Sequence, residues 1–234
     1  MSQLLEDETL NLYAGEYQLA TAKRPFLLEG GKKLTNGVLA YETYGALNSE
    51  KDNAILVFHA LSGSQHAAGF RESLSGSVDR LWTVECKIGW WDKFIGKNKV
   101  IDTSKYFVIC VNYLGGCYGS TGPNSINPDS GQKYMGSFPW ISFVDIVRSQ
   151  MELVESFKIK SLFAIAGSSL GGLLALTTTM LYPEKVQRII SIASGLTLQP
   201  LQIIHNYEQI KAIESDSLFL DGNYKEEVVK IGPL

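Results

Sequence analysis

The stretch that most restricts how this chain can fold is Gly167-Ser168-Ser169-Leu170-Gly171, a G-x-S-x-G pentapeptide late in the sequence. The run before it, Leu162 to Ala166, is short and apolar and is bounded by Gly167, which suits a strand buried on both faces. After it, Leu173 to Leu181 has helix-compatible composition and stops before Pro183. A strand, a glycine-flanked turn and a helix in that order predict an elbow whose central serine takes strained backbone angles. The flanking glycines let neighbouring backbone pass where a Cβ would clash. Such an elbow lifts the Ser169 hydroxyl above the sheet at the positive end of the following helix, where it reads as a nucleophile. The plain alternative is a glycine-rich turn with a serine helix cap, since serine is favoured at that position.

The same alternation of elements extends along the chain. Residues 1–16 lack clear periodicity and read as a mobile lead-in. Tyr17–Ala20, Pro25–Glu29 and Val38–Tyr44 are strand-like, and Gly30-Gly31 and Thr35-Asn36-Gly37 supply turn signals between the last two. Asn53–Phe58 and Tyr106–Val111 are buried-type strands, and Ile141–Phe157 is an amphipathic helix leading to the elbow strand. Val186–Ala193 is a further strand and Gln199–Glu214 a further helix. This order predicts an α/β fold with a mostly parallel, doubly covered sheet.

Two loops follow buried strands. His59-Ala60-Leu61-Ser62-Gly63 has small residues that let backbone N–H groups face a cavity at the carboxyl end of the sheet. In a serine hydrolase architecture that loop supplies half of an oxyanion hole. The backbone of Leu61 is then one candidate donor, and that of Leu170, next to Ser169, is the other. His59 and His66 read as hydrogen-bonded structural residues rather than bases. The run from Asn112 to Pro123 holds four glycines and reads as a pocket wall. It lacks both the Lys-Ser/Thr pair of a phosphate-binding loop and a G-x-G-x-x-G pattern. Gly89-Trp90-Trp91-Asp92 reads as a packed aromatic loop.

The chain's 234 residues suffice for one sizeable core. The net charge, 21 − 24 = −3, gives no reason to expect nucleic acid or an anionic membrane as partner. Three cysteines without close pairing, Cys86, Cys110 and Cys117, argue for buried thiols in a reducing compartment and against a disulfide frame or zinc knuckle. The acidic N-terminus is unlike a signal peptide, and no apolar run approaches membrane-spanning length. A soluble cytoplasmic protein is the expectation.

Several motifs carry a family resemblance. They are L-A-Y-E-T-Y-G at 39–45, H-A-L-S-G at 59–63, G-W-W-D at 89–92, I-D-T at 101–103 and N-Y-L-G-G-C-Y-G-S-T-G-P at 112–123. S-I-N-P at 125–128, F-P-W-I-S-F-V-D-I-V-R-S-Q at 138–150 and G-S-S-L-G-G at 167–172 complete the set. In this order they resemble the homoserine O-acetyltransferases, acyltransferases of the α/β-hydrolase fold, from about Gly30 to Ser194. The resemblance implies that Ser169 accepts the acyl group and that the Leu61 and Leu170 backbones form the oxyanion hole. It further implies acetyl-CoA as co-substrate, no bound cofactor or metal, homoserine as acceptor, a place in methionine biosynthesis and a possible homodimer.

The chain also departs from the family pattern. After Ser169 the only histidine is His205, and Asp216 and Asp221 lie beyond it, so a serine–aspartate–histidine order is not met. The resemblance therefore implies an incomplete core over residues 1–195 and the start of a truncated helical lid over 196–234, with the last strands absent. The family's lid pattern N-E-V-G-R-Q-A-I aligns with Asn206 to Ile213, placing Ile210 where an arginine is expected to hold the substrate carboxylate. Lys211 is one position on, rotated by about 100° on a helix, and lacks the bidentate fork. A serine esterase of the same fold, or a non-catalytic remnant or interaction subunit, are the alternatives.

Overall fold

The computed structural model describes residues 10–73, 82–197, 199–217, 219 and 222. In chain order the strands are β1 (Tyr13–Ala20), β2 (Phe26–Leu27), β3 (Lys33–Leu34), β4 (Gly37–Tyr44), β5 (Ala54–Phe58), β6 (Phe107–Val111), β7 (Ala164–Ser168) and β8 (Ile189–Ile192). The helices are α1 (Phe143–Ser156), α2 (Leu170–Leu181) and α3 (Pro200–Glu214). Strands β2 and β3 form a separate antiparallel pair, and the others make one sheet in the order β1-β4-β6-β5-β7-β8. Strand β4 is antiparallel to both β1 and β6, whereas β6, β5, β7 and β8 run parallel.

The uniformly apolar central strands have two buried faces to fill, and the pleat divides their side chains between them. Leu56, Phe58, Ile109, Val111 and Ile165 face one cluster, which includes Ile146, Val147, Met151 and Val154 of α1 and Leu174 and Ala175 of α2. Ile55, Val57, Val108, Cys110 and Ala164 face the other, where Ala67, Ala68, Ile95 and Ile101 pack with Trp90 and Trp91. The sheet is thus covered twice, but the residues that pack this second face from the connection between β5 and β6 lie in loops rather than in an α-helix. Helix α1 starts at a reciprocal cap: Ser142 Oγ accepts from the Asp145 N–H at 3.1 Å, and Asp145 Oδ2 accepts from the Ser142 N–H at 3.1 Å.

The edges differ most from expectation. Residues 13–16 are not lead-in but half of β1, pairing from Tyr13↔Thr43 to Glu16↔Ala40. An edge strand is specified by its partner's free hydrogen bonds more than by its own pattern. The expected strand Pro25–Glu29 shrinks to Phe26–Leu27, because the Leu28 N–H turns back to the Lys32 carbonyl. The elbow strand begins at Ala164, with Leu162 held only by an isolated bridge to Val186, and α2 starts at Leu170.

Among the described residues β8 is the last strand at its edge of the sheet, and Ile189, Ile190 and Ile192 are 38%, 50% and 47% exposed. Open edges with apolar faces template further pairing. Residues 1–234 on their own are therefore expected to self-associate, with Ile190→Lys reducing the effect. A monomer by light scattering that unfolds in one cooperative transition would sink this prediction. Among the described residues no helix is long and apolar enough to cross a membrane.

Candidate active site

Strand β7 delivers the chain to Ser169, and the turn there is abrupt. Ser169 has φ 54° and ψ −121°, a conformation that L residues rarely adopt. Contacts from both sides hold it there. Its N–H donates to the Ile192 carbonyl at 3.0 Å. Its own carbonyl accepts from Ser194 Oγ at 2.5 Å, from the Gly172 N–H at 3.0 Å and from the Leu173 N–H at 3.2 Å. Although Ser169 occupies the N-cap position of α2, its side chain caps nothing and is exposed. The simple helix-cap alternative therefore fails, and the hydroxyl is left standing at the carboxyl edge of the sheet beside the helix N-terminus.

The glycines are required by close approach. A methyl at Gly167 would lie 2.3 Å from the Gly171 carbonyl oxygen, and one at Gly171 would lie 2.3 Å from that of Phe58. One at Gly172 would meet Ser194 Oγ at 2.1 Å. These contacts press the first turn of α2 against the end of β5, so the loop from His59 to Gly63 starts beside the elbow. Among the described residues the N–H groups of Leu61, which is exposed, and of Leu170, in the first turn of α2, have no acceptor within the chain. Sequence reading missed Ser194, whose only signal is its position just after β8.

The histidines divide by environment. His66 resembles part of a catalytic relay, since its Nδ1 lies 2.8 Å from Glu42 Oε2. Its Nε2, however, is turned inward between the carbonyls of Gly69 and Lys87, each at 3.2 Å, and the ring is buried. It has no open nitrogen with which to reach Ser169. His59 is also buried, stacked on Tyr113 at 3.7 Å with Nδ1 2.7 Å from the Ala60 carbonyl oxygen. Burial lowers its pKa to about 4, against a smaller opposing effect of the Ala60 carbonyl. Both are structural, as their sequence context suggested.

His59 makes a pH prediction. Above the unfolded value of about 6.5 the ring is neutral in both states and contributes no slope. As pH falls below it, the unfolded chain takes up a proton that the folded chain refuses until about pH 4, so stability drops. The expected loss from this group between pH 7 and pH 4 is about 3 kcal/mol. Denaturant titrations of wild type and His59→Asn should show a flatter acid limb in the variant.

No base touches Ser169 among the described residues. His205 sits within α3, its Nε2 2.9 Å from Gln209 Nε2 one turn on. Glu184, the one acidic residue between Ser169 and His205, lies in the turn before β8, at the opposite edge of the sheet. Asp221 lies outside the described residues. Ile210 is exposed on α3, and Lys211 is occupied by Glu214 at 2.6 Å. None of the three cysteines is in a disulfide; Cys110 is buried, Cys86 half-buried and Cys117 exposed, the last contrary to expectation. Among the described residues no group of three or more His, Cys, Asp or Glu side chains could hold a metal ion.

A parallel sheet with a strained serine between strand and helix defines a class, and comparison gives it a name. A family model for the alpha/beta hydrolase fold matches residues 53–230, and the chain belongs to that family. Within it, the chain is 47% identical over 201 residues to the homoserine O-acetyltransferase of Methanohalobium evestigatum, covering 86% of this chain and 39% of that protein. The crystal structure of homoserine O-acetyltransferase from Bacillus anthracis superposes with a TM-score of 0.80 at 33% identity, covering 92% of this chain and 56% of that one. A crystallised esterase matches equally well, with a TM-score of 0.80, 32% identity and the same coverage of 92% and 56%. The chain spans about half the length of the relatives it matches.

Proposed function

We propose that this chain carries the acyl-accepting half of a homoserine O-acetyltransferase site, with Ser169 as nucleophile. The observation that supports this most is the uncapped, exposed Ser169 hydroxyl at φ 54°, held by bonds at both its N–H and its carbonyl. Strain of this kind costs about 1–3 kcal/mol and persists where a function depends on it. In the proposed reaction Ser169 Oγ attacks the thioester carbonyl of acetyl-CoA, the carbon–sulfur bond breaks, and the thiolate leaves with the serine proton. The amides of Leu61 and Leu170 hold the oxyanion, each worth about 3 kcal/mol in comparable sites. The homoserine hydroxyl then attacks the acetyl-serine, giving O-acetylhomoserine, a step toward methionine, and restoring Ser169.

The hydroxyl is a weak nucleophile without a base. Since the described residues place none against it, residues 1–234 alone are expected to react slowly, at the roughly 10³–10⁴-fold level over water that an oxyanion hole and binding sustain. Hydrolysis is the second reading. It is favoured by the equal likeness to an esterase and by Ile210, which offers no cation for a substrate carboxylate.

One experiment separates the readings. The chain is incubated with acetyl-CoA and the acetyl group is mapped by mass spectrometry. An adduct on Ser169, discharged faster by homoserine than by water, supports transfer. Equal discharge supports hydrolysis. No adduct from either acetyl-CoA or p-nitrophenyl acetate leaves a non-catalytic protein.

A further inference from the structure

Behind the loop that carries Leu61 lies a buried polar cluster that the proposed chemistry does not use. Glu42 and Tyr44 sit two residues apart on β4, on the same face, and His66 meets them from the loop. The Tyr44 hydroxyl donates to Glu42 Oε2 at 2.7 Å and accepts from the N–H groups of Ala67 at 2.7 Å and Ala68 at 3.2 Å. Glu42 also takes His66 Nδ1 at 2.8 Å on the same oxygen and Arg71 at 2.6 Å on the other. Burial alone would raise the Glu42 pKa, but the His66, Tyr44 and Arg71 contacts outweigh it and hold the carboxyl low. A charged acceptor thus orients the phenol O–H, and its oxygen is left to receive two successive backbone amides.

The loop is anchored unevenly. Residues 64–69 are tied from outside: Trp90 Nε1 donates to the Ser64 carbonyl at 2.9 Å, and the Gly69 N–H donates to Asp92 Oδ1 at 2.8 Å. The turn that presents Leu61 is closed by the Gly63 N–H on the Ala60 carbonyl at 2.9 Å, with His59 Nδ1 also 2.7 Å from that carbonyl oxygen, and at its start the Tyr113 hydroxyl donates to the His59 carbonyl. Its position is therefore set from both sides, by β5 and Tyr113 before it and by the segment 64–69 after it. An oxyanion donor acts only when fixed in place beforehand, so the rigidity of 64–69 becomes a requirement of the chemistry.

We propose that Tyr44, oriented by Glu42, is a positioning residue for the Leu61 amide. It acts through the Ala67 and Ala68 backbone and rests on the acyl-transfer reading of Ser169. Glu42 and His66 are the frame that keeps its hydroxyl aimed. Together they form a static brace between β4 and the loop.

Tyr44→Phe tests it, since the ring stays and only the hydroxyl is lost. Two quantities are read on the full chain: amide hydrogen exchange at Gly63, Ala67 and Ala68, and the rate of Ser169 acetylation by p-nitrophenyl acetate. Ile146→Val on α1 serves as a control for general destabilisation. The expected result is faster exchange at all three amides relative to the control. With it comes an acetylation rate lowered by roughly 10–100-fold at unchanged half-saturating concentration, less than outright removal of an oxyanion donor. Faster exchange confined to Ala67 and Ala68, with Gly63 and the acetylation rate unmoved, overturns it and leaves Tyr44 a mere partner for two buried amides. If wild type itself takes no acetyl group, the reading of Ser169 falls, and the exchange at Gly63 alone decides the brace. Should Tyr44→Phe fail to accumulate folded, Glu42→Gln, which keeps the shape but withdraws the orienting charge, is read in the same way.

Discussion

Ser169→Ala is expected to take up no acetyl group from acetyl-CoA or p-nitrophenyl acetate, because the atom that carries the adduct is gone. Any remaining turnover would come from the oxyanion donors and binding alone, about 10³–10⁴ over water by comparison with dismantled triads. The same position makes an opposite prediction for stability. At φ 54° and ψ −121° an alanine is as strained as serine, so Ser169→Ala should unfold like wild type. Ser169→Gly relieves the strain at some cost in chain entropy and should stabilise the fold by about 1 kcal/mol. Mass spectrometry reads the first effect and denaturant unfolding the second. A gain in stability coupled to a loss of reactivity is what a residue retained for chemistry should show. An acetyl adduct of undiminished yield on Ser169→Ala would move the reactive residue elsewhere.

Glu42→Ala carries the largest expected change in stability. The carboxylate is fully buried and serves His66, Tyr44 and Arg71 at once. Removing one partner of a buried ionic group strands the others and costs about 3–5 kcal/mol, a large part of the stability of an ordinary domain. The cavity left by the side chain adds to that loss. Glu42→Gln keeps the volume and one acceptor and should lose less. The measurement is the denaturation midpoint of each variant at neutral pH. A double-mutant cycle with Arg71→Ala apportions the loss, since contacting residues do not add. A Glu42→Ala midpoint within error of wild type would show that water replaces the carboxylate at little cost.

The central strands and the elbow could be read from the chain because their residues carry local signals. Ala54–Phe58 and Phe107–Val111 are apolar at every position, which only a strand with two covered faces tolerates. Gly167 and Gly171 read as close-approach glycines, and a Cβ at either would lie 2.3 Å from a backbone oxygen. The peripheral strands were less legible. Half of β1 looked like lead-in, because its register is set by β4 rather than by its own alternation. The second face of the sheet proved to be covered by Ala67, Ala68 and the Trp90–Trp91 loop, a layer with no period to detect.

For the site, the sequence determined which hydroxyl stands exposed at the elbow: the G-x-S-x-G spacing leaves one serine on the turn, and its strained angles follow from glycine-sized gaps on either side. The likeness to acetyltransferases was carried by the same local motifs. Only the tertiary structure decided that His66, despite its carboxylate partner, is sealed from Ser169, that His59 is held neutral under Tyr113, and that Ser194, just past β8, grips the elbow. Those facts depend on contacts between segments far apart in the chain, and the direction in which a side chain points after such packing leaves no trace in the spacing of residues. Periodicity reports which face an element buries; only assembled neighbours determine which nitrogen, oxygen or amide is left free.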